Sequence, residues 1–400
     1  MLLPDDLAVR GASSRILLVV LDGLGGLPLS PAGRTELEVA RTPNLDHLAS
    51  ASSLGMLLPV APGITPGSGP GHLALFGYDP KEYVVGRGAL SALGVGLDLE
   101  PGDVAVRLNL ATLDLDGRVV DRRAGRPSDD EGRRIVGLLR ERISLGDEAE
   151  FFLTHVKEHR AVLVLRGEGL GADIADTDPQ EIGVAPLPPR SLDPSSERTG
   201  RVMERFLTQS RELIRDEAPV SGLLARGFAR YEVFPSLKDR FGLSAVAVAC
   251  YPMYRGVARL VGMEIPGTPS SDEQAVALME EQFGSAGFHF LHFKAPDARG
   301  EDQDFDAKVA AIEAIDEMIP RLSSLGADVL AVTGDHSTPA RLGAHSWHHV
   351  PVLLASESAR PTGSAFSESE CRTGDLGVIE AKHLMSLMLA HAGRLRKFGA

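Results

Sequence analysis

The sequence predicts an α/β fold with a mainly parallel sheet, interrupted by a smaller α+β insert. Three observations predict it. Short apolar runs of strand length recur and end abruptly in polar residues. Segments with helical spacing separate them, the pattern of a parallel sheet built by crossovers. A middle stretch switches to alternation with a hairpin signal, which a parallel sheet does not produce.

The elements follow in order. "RILLVVLD" (15–22) is a continuous apolar run closed by Asp22. "ITPGSGPGHLALFGYDP" (64–80) opens a helix, with Ser68 at or beside the N-cap and Pro70 near the first helical position. From about 104 to 166 the chain alternates, and Asp116–Gly117 signals a tight turn between two strands. The Pro- and Ser-rich "VAPLPPRSLDPSS" (184–196) precedes a long helix over roughly 197–217, and "FPSLKDRFG" (234–242) reads as a helix returning to the sheet. "FHFLHFKAPD" (288–297) alternates and stops at Pro296; "DVLAVTGDH" (328–336) and "VPVLLAS" (350–356) are further strands. Between them, 306–326 has helical spacing with Gly326 as its stop, and 376–393 reads as a closing amphipathic helix. Residues 1–100 and 236–400 are thus expected to form a discontinuous core, with 101–235 inserted as a second domain.

Bulk properties narrow the function. The chain of 400 residues supports a large core, and 43% apolar with 24% charged residues is ordinary for a globular protein. A net charge of −14 without a basic stripe argues against nucleic acid as a partner. An anionic substrate therefore requires a locally basic site. The apolar run near the start is too short to cross a bilayer, and "MLLPDDLAVRG" has no basic start or signal-like core, so a cytoplasmic protein without a membrane partner is expected. Two cysteines, Cys250 and Cys371, are too few for a disulfide framework.

Ligands of parallel sheets gather at the carboxyl ends of strands. Three predicted strand ends carry Asp22, Asp297 and the pair Asp335–His336. Nine residues beyond that pair lies His345, followed by His348 and His349. Each feature has an ordinary alternative. Asp22 and Asp335–His336 can be turns, the histidines a surface cluster, Asp297 and Glu301 an acidic first helical turn, and Ser68 a cap. Taken together, Asp22, Ser68, Asp297, Glu301, Asp335, His336 and His345 form a donor set for two divalent cations. A cation-bound serine would be a usable nucleophile, and a helix start beside it offers N–H groups to a phosphate.

The motifs "LDGLGG", "TPNLD", "TPGS…GHLALFGYDP", "GRGALSALG", "DRRAGR", "HRAVLVLRG", "DTDP", "GDHSTP", "HSWHHVP" and "KFGA" resemble those of the archaeal-type cofactor-independent phosphoglycerate mutases of the alkaline phosphatase superfamily. The resemblance runs nearly end to end. It implies an alkaline-phosphatase-like core and an inserted domain that closes over the substrate. It implies two metal ions, manganese first, with magnesium or zinc as alternatives, and no 2,3-bisphosphoglycerate. By similarity Ser68 is phosphorylated in mid-reaction. Asp22, Asp335 and His336 hold one metal together with Ser68, and Asp297, Glu301 and His345 hold the other. The implied reaction is the interconversion of 3-phosphoglycerate and 2-phosphoglycerate, a step of glycolysis and gluconeogenesis, by a monomer or small homo-oligomer. Arg123, Arg126, Arg226, Arg255 and Lys294 are the implied substrate ligands, with Arg160 and His159 at the chemistry and His159 as a proton carrier. The alternatives are a metal-dependent phosphohydrolase of the same superfamily and a non-catalytic relative that binds a phosphorylated metabolite. The sequence departs from the family pattern at three places. Glu301 stands where the family has histidine, Gly69 follows the serine in place of an acidic residue, and "WHH" displaces the Asp after "HS". His348 or His349 is the substitute ligand should Glu301 point away.

Overall fold

The structure is a computed structural model that describes residues 3–399; Met1, Leu2 and Ala400, the ends of the N-terminal stretch and of the "KFGA" motif, lie outside the described residues. The chain divides into two compact units, Met1–Val84 with Phe234–Ala400, and Val85–Val233. The 85–100 segment therefore goes with the second unit rather than the first, a shift from the boundary expected at 100/101. The reason is local: Ala89 and Ala92 of the helix Arg87–Gly94 are buried against Ala105, Val162, Val164 and Ala229.

Twelve strands are described: β1 Ile16–Leu21, β2 Ser53–Leu58, β3 Val104–Leu113, β4 Val119–Asp121, β5 Glu150–Lys157, β6 Arg160–Arg166, β7 Gly222–Arg230, β8 Ala245–Ala249, β9 Phe288–Phe293, β10 Val329–Thr333, β11 Val350–Ser356 and β12 Gly377–Glu380. The first unit is built on a seven-stranded sheet in the order β12-β2-β11-β10-β1-β9-β8. The run β8, β9, β1 and β10, from one edge inward, is parallel. Only β11 runs against its neighbours, and β12 pairs in parallel with β2. Every residue of β1, β9 and β10 is buried, which explains the continuous apolar character of β1 and β10: both faces are covered. The alternation in β9 is not a solvent-facing pattern, because His289 and His292 are buried too.

Several expectations are revised. The strand of 288–297 ends at Phe293, and Ala295–Glu301 is a helix with Pro296 in its first turn, where proline's missing N–H costs nothing. The 306–326 segment breaks into Phe305–Asp316 and Ile319–Ser323, the second with Pro320 near its start. The expected closing helix is half strand: β12 precedes the helix Leu384–His391, because 377–380 finds an open edge at β2. Ser68 does lie beside the N-cap, as expected: Gly67 is the N-cap and Ser68 the first residue of Ser68–Leu75, with its hydroxyl not used in capping.

The second unit is an antiparallel sheet, β5-β6-β3-β7, with β4 beside the end of β3. Gly117, at φ 78°, makes the tight turn between β3 and β4. Period two sorts the side chains. Val104, Val106, Leu108 and Leu110 of β3 enter one core with Ile135, Leu139, Met203 and Phe206 of the helices Asp129–Arg142 and Glu197–Ile214. Ala105 of β3 enters the other, beneath Arg87–Gly94.

Candidate active site

Parallel register places the chemistry of the first unit. Val20 of β1 pairs with His292 of β9 and with Thr333 of β10, so Asp22, Lys294 and Asp335 all emerge at one sheet edge. Gly23 makes the sharp turn after Asp22 with φ 64°. A Cβ there would lie 2.6 Å from Thr338 Oγ1 and 2.8 Å from the Asp297 Cα, so the three loops meet only because this residue is glycine. Gly71 serves the same end on the serine helix, where a Cβ would meet the Asp335 carbonyl at 2.6 Å.

Two ligand clusters result. Asp22, Asp335 and His336 form one and Asp297, His336 and His345 the other, each with its donor atoms within 4.8 Å of one another. Ser68 Oγ is 3.3 Å from His336 Nε2, which is 3.1 Å from Asp335 Oδ2 and 3.4 Å from Asp22 Oδ1. His345 Nε2 lies 3.5 Å from Asp297 Oδ1, and the two imidazoles stack at 3.7 Å between centroids. Glu301 stands outside these sets. Its carboxylate is half exposed, with Oε1 3.6 Å from His345 Nε2. His348 and His349 belong to neither cluster among the described residues, and His348 Nδ1 instead meets Ser346 Oγ at 3.0 Å.

Hydrogen bonding fixes the tautomers. The Thr338 hydroxyl donates to Asp297 Oδ1 at 2.5 Å, because an ionised carboxylate can only accept. Its oxygen then accepts from His336 Nδ1 at 3.0 Å. This leaves the Nε2 lone pair of His336 facing Asp22, Asp335 and the serine hydroxyl. His345 is set the same way: Nδ1 donates to the Pro66 carbonyl at 3.0 Å and Nε2 faces the carboxylates. A lone pair aimed at carboxylate oxygens is repulsive unless a cation lies among them. Asp22 Oδ1 and Asp335 Oδ2 are buried without a hydrogen-bond partner, which marks the same need.

The electrostatics agree. Burial and the neighbouring Asp22 charge push Asp335 up to about 6. Asp22 is also burdened by burial, but His292 and Lys294 outweigh it and hold its pKa well below the usual range. Burial drives His336 far below its ordinary value, so it is the neutral form that metals bind. Lys294 Nζ contacts both Asp22, at 3.1 Å, and Asp297, and its pKa is raised. Among the described residues Lys294 carries the one ammonium in contact with this carboxylate set, and it does not balance three. Oxygen and imidazole donors of this kind, short of positive charge, fit divalent cations.

His72 and His292, which sequence reasoning does not single out, hold this set. His72 Nδ1 meets Asp335 Oδ2 at 3.1 Å and the Ser68 carbonyl at 2.8 Å, coupling the serine helix to the ligand loop. His292 Nε2 is 3.3 Å from Asp22 Oδ2, and its ring stacks on Tyr254 at 3.7 Å. Arg255 is buried, and its NH1 donates to the carbonyls of Ala249 and Cys250 at the end of β8.

The second unit carries a different cluster. His159, buried at the start of β6, is pulled down to about 4, first by burial and then by the charges of Arg160 and Arg123, with Arg126 adding to them. Its Nδ1 has no hydrogen-bond partner. The loop that brings the arginines is strained: Ala124, Gly125 and Arg126 all have positive φ, at 47°, 68° and 56°. Asp121 holds the loop by accepting from the backbone N–H groups of Arg123 and Gly125, both at 2.7 Å. Arg122 faces elsewhere, in a bidentate pair with Asp178 at 2.8 and 2.7 Å, and Arg226 lies 3.8 Å from the same carboxylate. Neither the Arg123 nor the Arg126 side chain is paired with a carboxylate among the described residues, and both are exposed.

A mixed α/β sheet with two carboxylate–imidazole clusters at its strand ends, and a serine at a helix start beside them, defines a class: an α/β fold built to hold divalent cations next to a hydroxyl. The comparisons narrow it. Residues 49–219 match the model of the family described as 2,3-bisphosphoglycerate-independent phosphoglycerate mutase. A Thermus thermophilus protein named "Probable 2,3-bisphosphoglycerate-independent phosphoglycerate mutase" is 52% identical over 97% of this chain and 96% of its own. A Deinococcus radiodurans protein of the same name is 48% identical, covering 98% of each. Among solved structures, PH0037 from Pyrococcus horikoshii aligns with a TM-score of 0.82 and 31% identity over 97% of this chain and 100% of its own. The cofactor-independent phosphoglycerate mutase of Thermoplasma acidophilum aligns with a TM-score of 0.70 and 31% identity, over 95% and 100%. The chain belongs to the 2,3-bisphosphoglycerate-independent phosphoglycerate mutase family, enzymes of the isomerase class. No helix among the described residues is long and apolar enough to cross a membrane.

Proposed function

We propose that the protein interconverts 3-phosphoglycerate and 2-phosphoglycerate through a phosphorylated Ser68. The observation that carries this reading is the buried Ser68 hydroxyl, 3.3 Å from the lone-pair nitrogen of His336, among buried carboxylates with unmet acceptors. Asp22, Asp335, His336 and Ser68 would hold one divalent cation and Asp297 and His345 the other, with Glu301 adding a carboxylate from the half-exposed side. Bound cations supply charge neutralisation for the phosphoryl group and make a serine hydroxyl easier to ionise.

The chain's own groups do the rest. Ser68 gives up its proton, an Oγ–P bond forms, and the ester O–P bond of the substrate breaks. The glycerate oxygen left behind takes up a proton. The glycerate turns without leaving, its other hydroxyl loses a proton and attacks the phosphorus, a new ester O–P bond forms as the Oγ–P bond breaks, and the serine oxygen takes up a proton. His159, neutral at pH 7 with an unpartnered Nδ1, is the candidate carrier of the proton exchanged between the two glycerate oxygens. Arg123, Arg126, Arg160 and Arg226 are the candidate partners of the substrate's carboxylate and phosphate. In the first unit, Lys294 and Arg255 have the charge for the same task, though Arg255 commits one nitrogen to backbone carbonyls.

The test is product analysis on purified full chain given 3-phosphoglycerate. The expected result is 2-phosphoglycerate without free phosphate, lost on chelation and restored by manganese. Free phosphate as the product would instead make the protein a hydrolase, and turnover that survives chelation would remove the cation site from the reaction.

A further inference from the structure

Lys308 lies on the helix Phe305–Asp316 and is wholly buried, yet no surface carboxylate or solvent accounts for its charge. Its Nζ sits 2.9 Å from the Gly23 carbonyl, 3.0 Å from that of Gly25 and 2.8 Å from that of Thr338. A neutral amine has only two N–H donors. Three carbonyl acceptors at these distances call for the ammonium, which has three. The nearest carboxylate, Glu36 Oε1, is 4.0 Å away and is itself occupied by the Ala340 N–H at 2.7 Å. Glu36 Oε2 accepts from the Leu27 N–H. Further out, Glu368 accepts from the Gly26 N–H and the Thr35 hydroxyl.

The three carbonyls belong to two loops with one thing in common. Gly23 and Gly25 follow Asp22, and Thr338 follows Asp335 and His336. The loops are also hydrogen-bonded to each other, from the Thr338 N–H to the Gly23 and Gly25 carbonyls. Carbonyls converging on one point repel each other unless a cation sits there.

We propose that Lys308 is a positioning residue: a built-in monovalent cation that clamps the Asp22 and Asp335–His336 loops into ligand geometry before any metal arrives. The inference rests on reading that cluster as a metal centre. Lys308 touches no ligand atom and acts through the backbone of the residues beside them.

The test is equilibrium binding of manganese to the metal-stripped full chain by calorimetry, which does not depend on turnover. Wild-type protein that binds no manganese overturns the metal-centre reading, and this inference with it, before any substitution is made. Given wild-type binding, Lys308→Met is expected to weaken it roughly 10- to 100-fold, as for lost support of a metal ligand. Arg240→Met, which breaks a buried cluster with Asp5 and the Gly77 carbonyl, is expected to lower thermal stability without moving manganese affinity. Lys308→Ala leaves room for a small cation, so ammonium chloride is expected to recover part of the lost affinity and tetramethylammonium chloride none. Unchanged affinity in folded Lys308→Met, or a loss in Arg240→Met as large as in Lys308→Met, overturns the proposal. If the Lys308 variants do not fold, hydrogen exchange on metal-free wild-type protein decides. Protection of the Gly26, Leu27, Thr338 and Ala340 amides is expected, and exchange at the rate of open loops overturns it.

Discussion

The two charged clusters of this molecule are built on opposite plans. Around Asp22, Asp335 and His336 every ligand is buried, every loop is locked by a glycine approach or a lysine clamp, and acidic groups exceed basic ones. Around His159 the charges are mainly basic, with Glu158 the acidic exception, Arg123 and Arg126 are exposed, and the supporting loop runs through three left-handed residues in a row. The first plan suits a permanent ion, whose ligands must be in place and gain nothing from motion. The second suits an anion that comes and goes, with side chains free to close on it. The contrast is also one of charge: in a protein of net charge −14, Arg123, Arg126 and Arg160 gather positive charge around His159.

The sharpest way to break the comparison is at the serine. Ser68→Ala removes the proposed nucleophile and keeps the side chains of Asp22, Asp335 and His336. Turnover should fall on the order of 10⁴-fold or more, as for other enzymes stripped of a nucleophile. Manganese affinity in the same variant should change far less, because a neutral hydroxyl contributes little beside carboxylates and imidazoles. Stopped-flow or coupled assay and calorimetry read the two separately. Intact turnover would end the phosphoserine route, and a collapse of metal binding would mean the serine is chiefly a ligand.

A smaller effect of mixed sign is expected at Arg126. Its φ of 56° is one that glycine adopts freely and arginine does not. Arg126→Gly should raise KM by on the order of 10- to 100-fold, the loss of a hydrogen bond between charged groups. Thermal stability should stay level or rise by up to about 1 kcal/mol, the relief of left-handed strain less the added freedom of the unfolded chain. Arg226→Ala, on regular β7, should lack the stability gain. Equal behaviour of the two variants would show that strain at 124–126 has no part in presenting the arginine.

The same divide explains what can be read from the sequence. The strands β1, β10 and β11 are legible because burial on both faces leaves continuous apolar runs of the right length. The direction of β11 is not, because antiparallel pairing with β10 is decided by chain path and not by composition. β2 and β8 escape notice: "SLGMLL" is interrupted by Gly55 and "AVAVA" is rich in small residues, and only their place in the sheet buries them. β12 merges into the following helix because its apolar spacing runs on without a break, and the open edge of β2 overrides it. In the site, the ligands stand out as polar residues that stop strands. Their supports do not. His72, Thr338 and Lys308 are ordinary residues of ordinary helices and loops, and their meaning lies in partners hundreds of residues away, as Lys308 with Gly23.

The smallest predicted effect probes the basic cluster through stability. His159 has an ordinary value of 6.5 and is held near 4 in the folded chain. Between those limits the unfolded chain takes up a proton that the folded one refuses, so acidification from 6.5 toward 4 should destabilise the protein with a linkage of up to about one proton. Above 6.5 and below 4 the residue adds no slope. Measured as the difference in unfolding free energy between wild type and His159→Gln, the wild-type advantage should shrink across that window and level off below it. A ligand makes the test specific. An anion neutralising Arg123, Arg126 and Arg160 removes the charges that, after burial, hold the imidazole down, so saturating 3-phosphoglycerate should move the window upward toward 6.5. A window that stays near 4 with ligand bound would mean that these arginines are not where the anion sits.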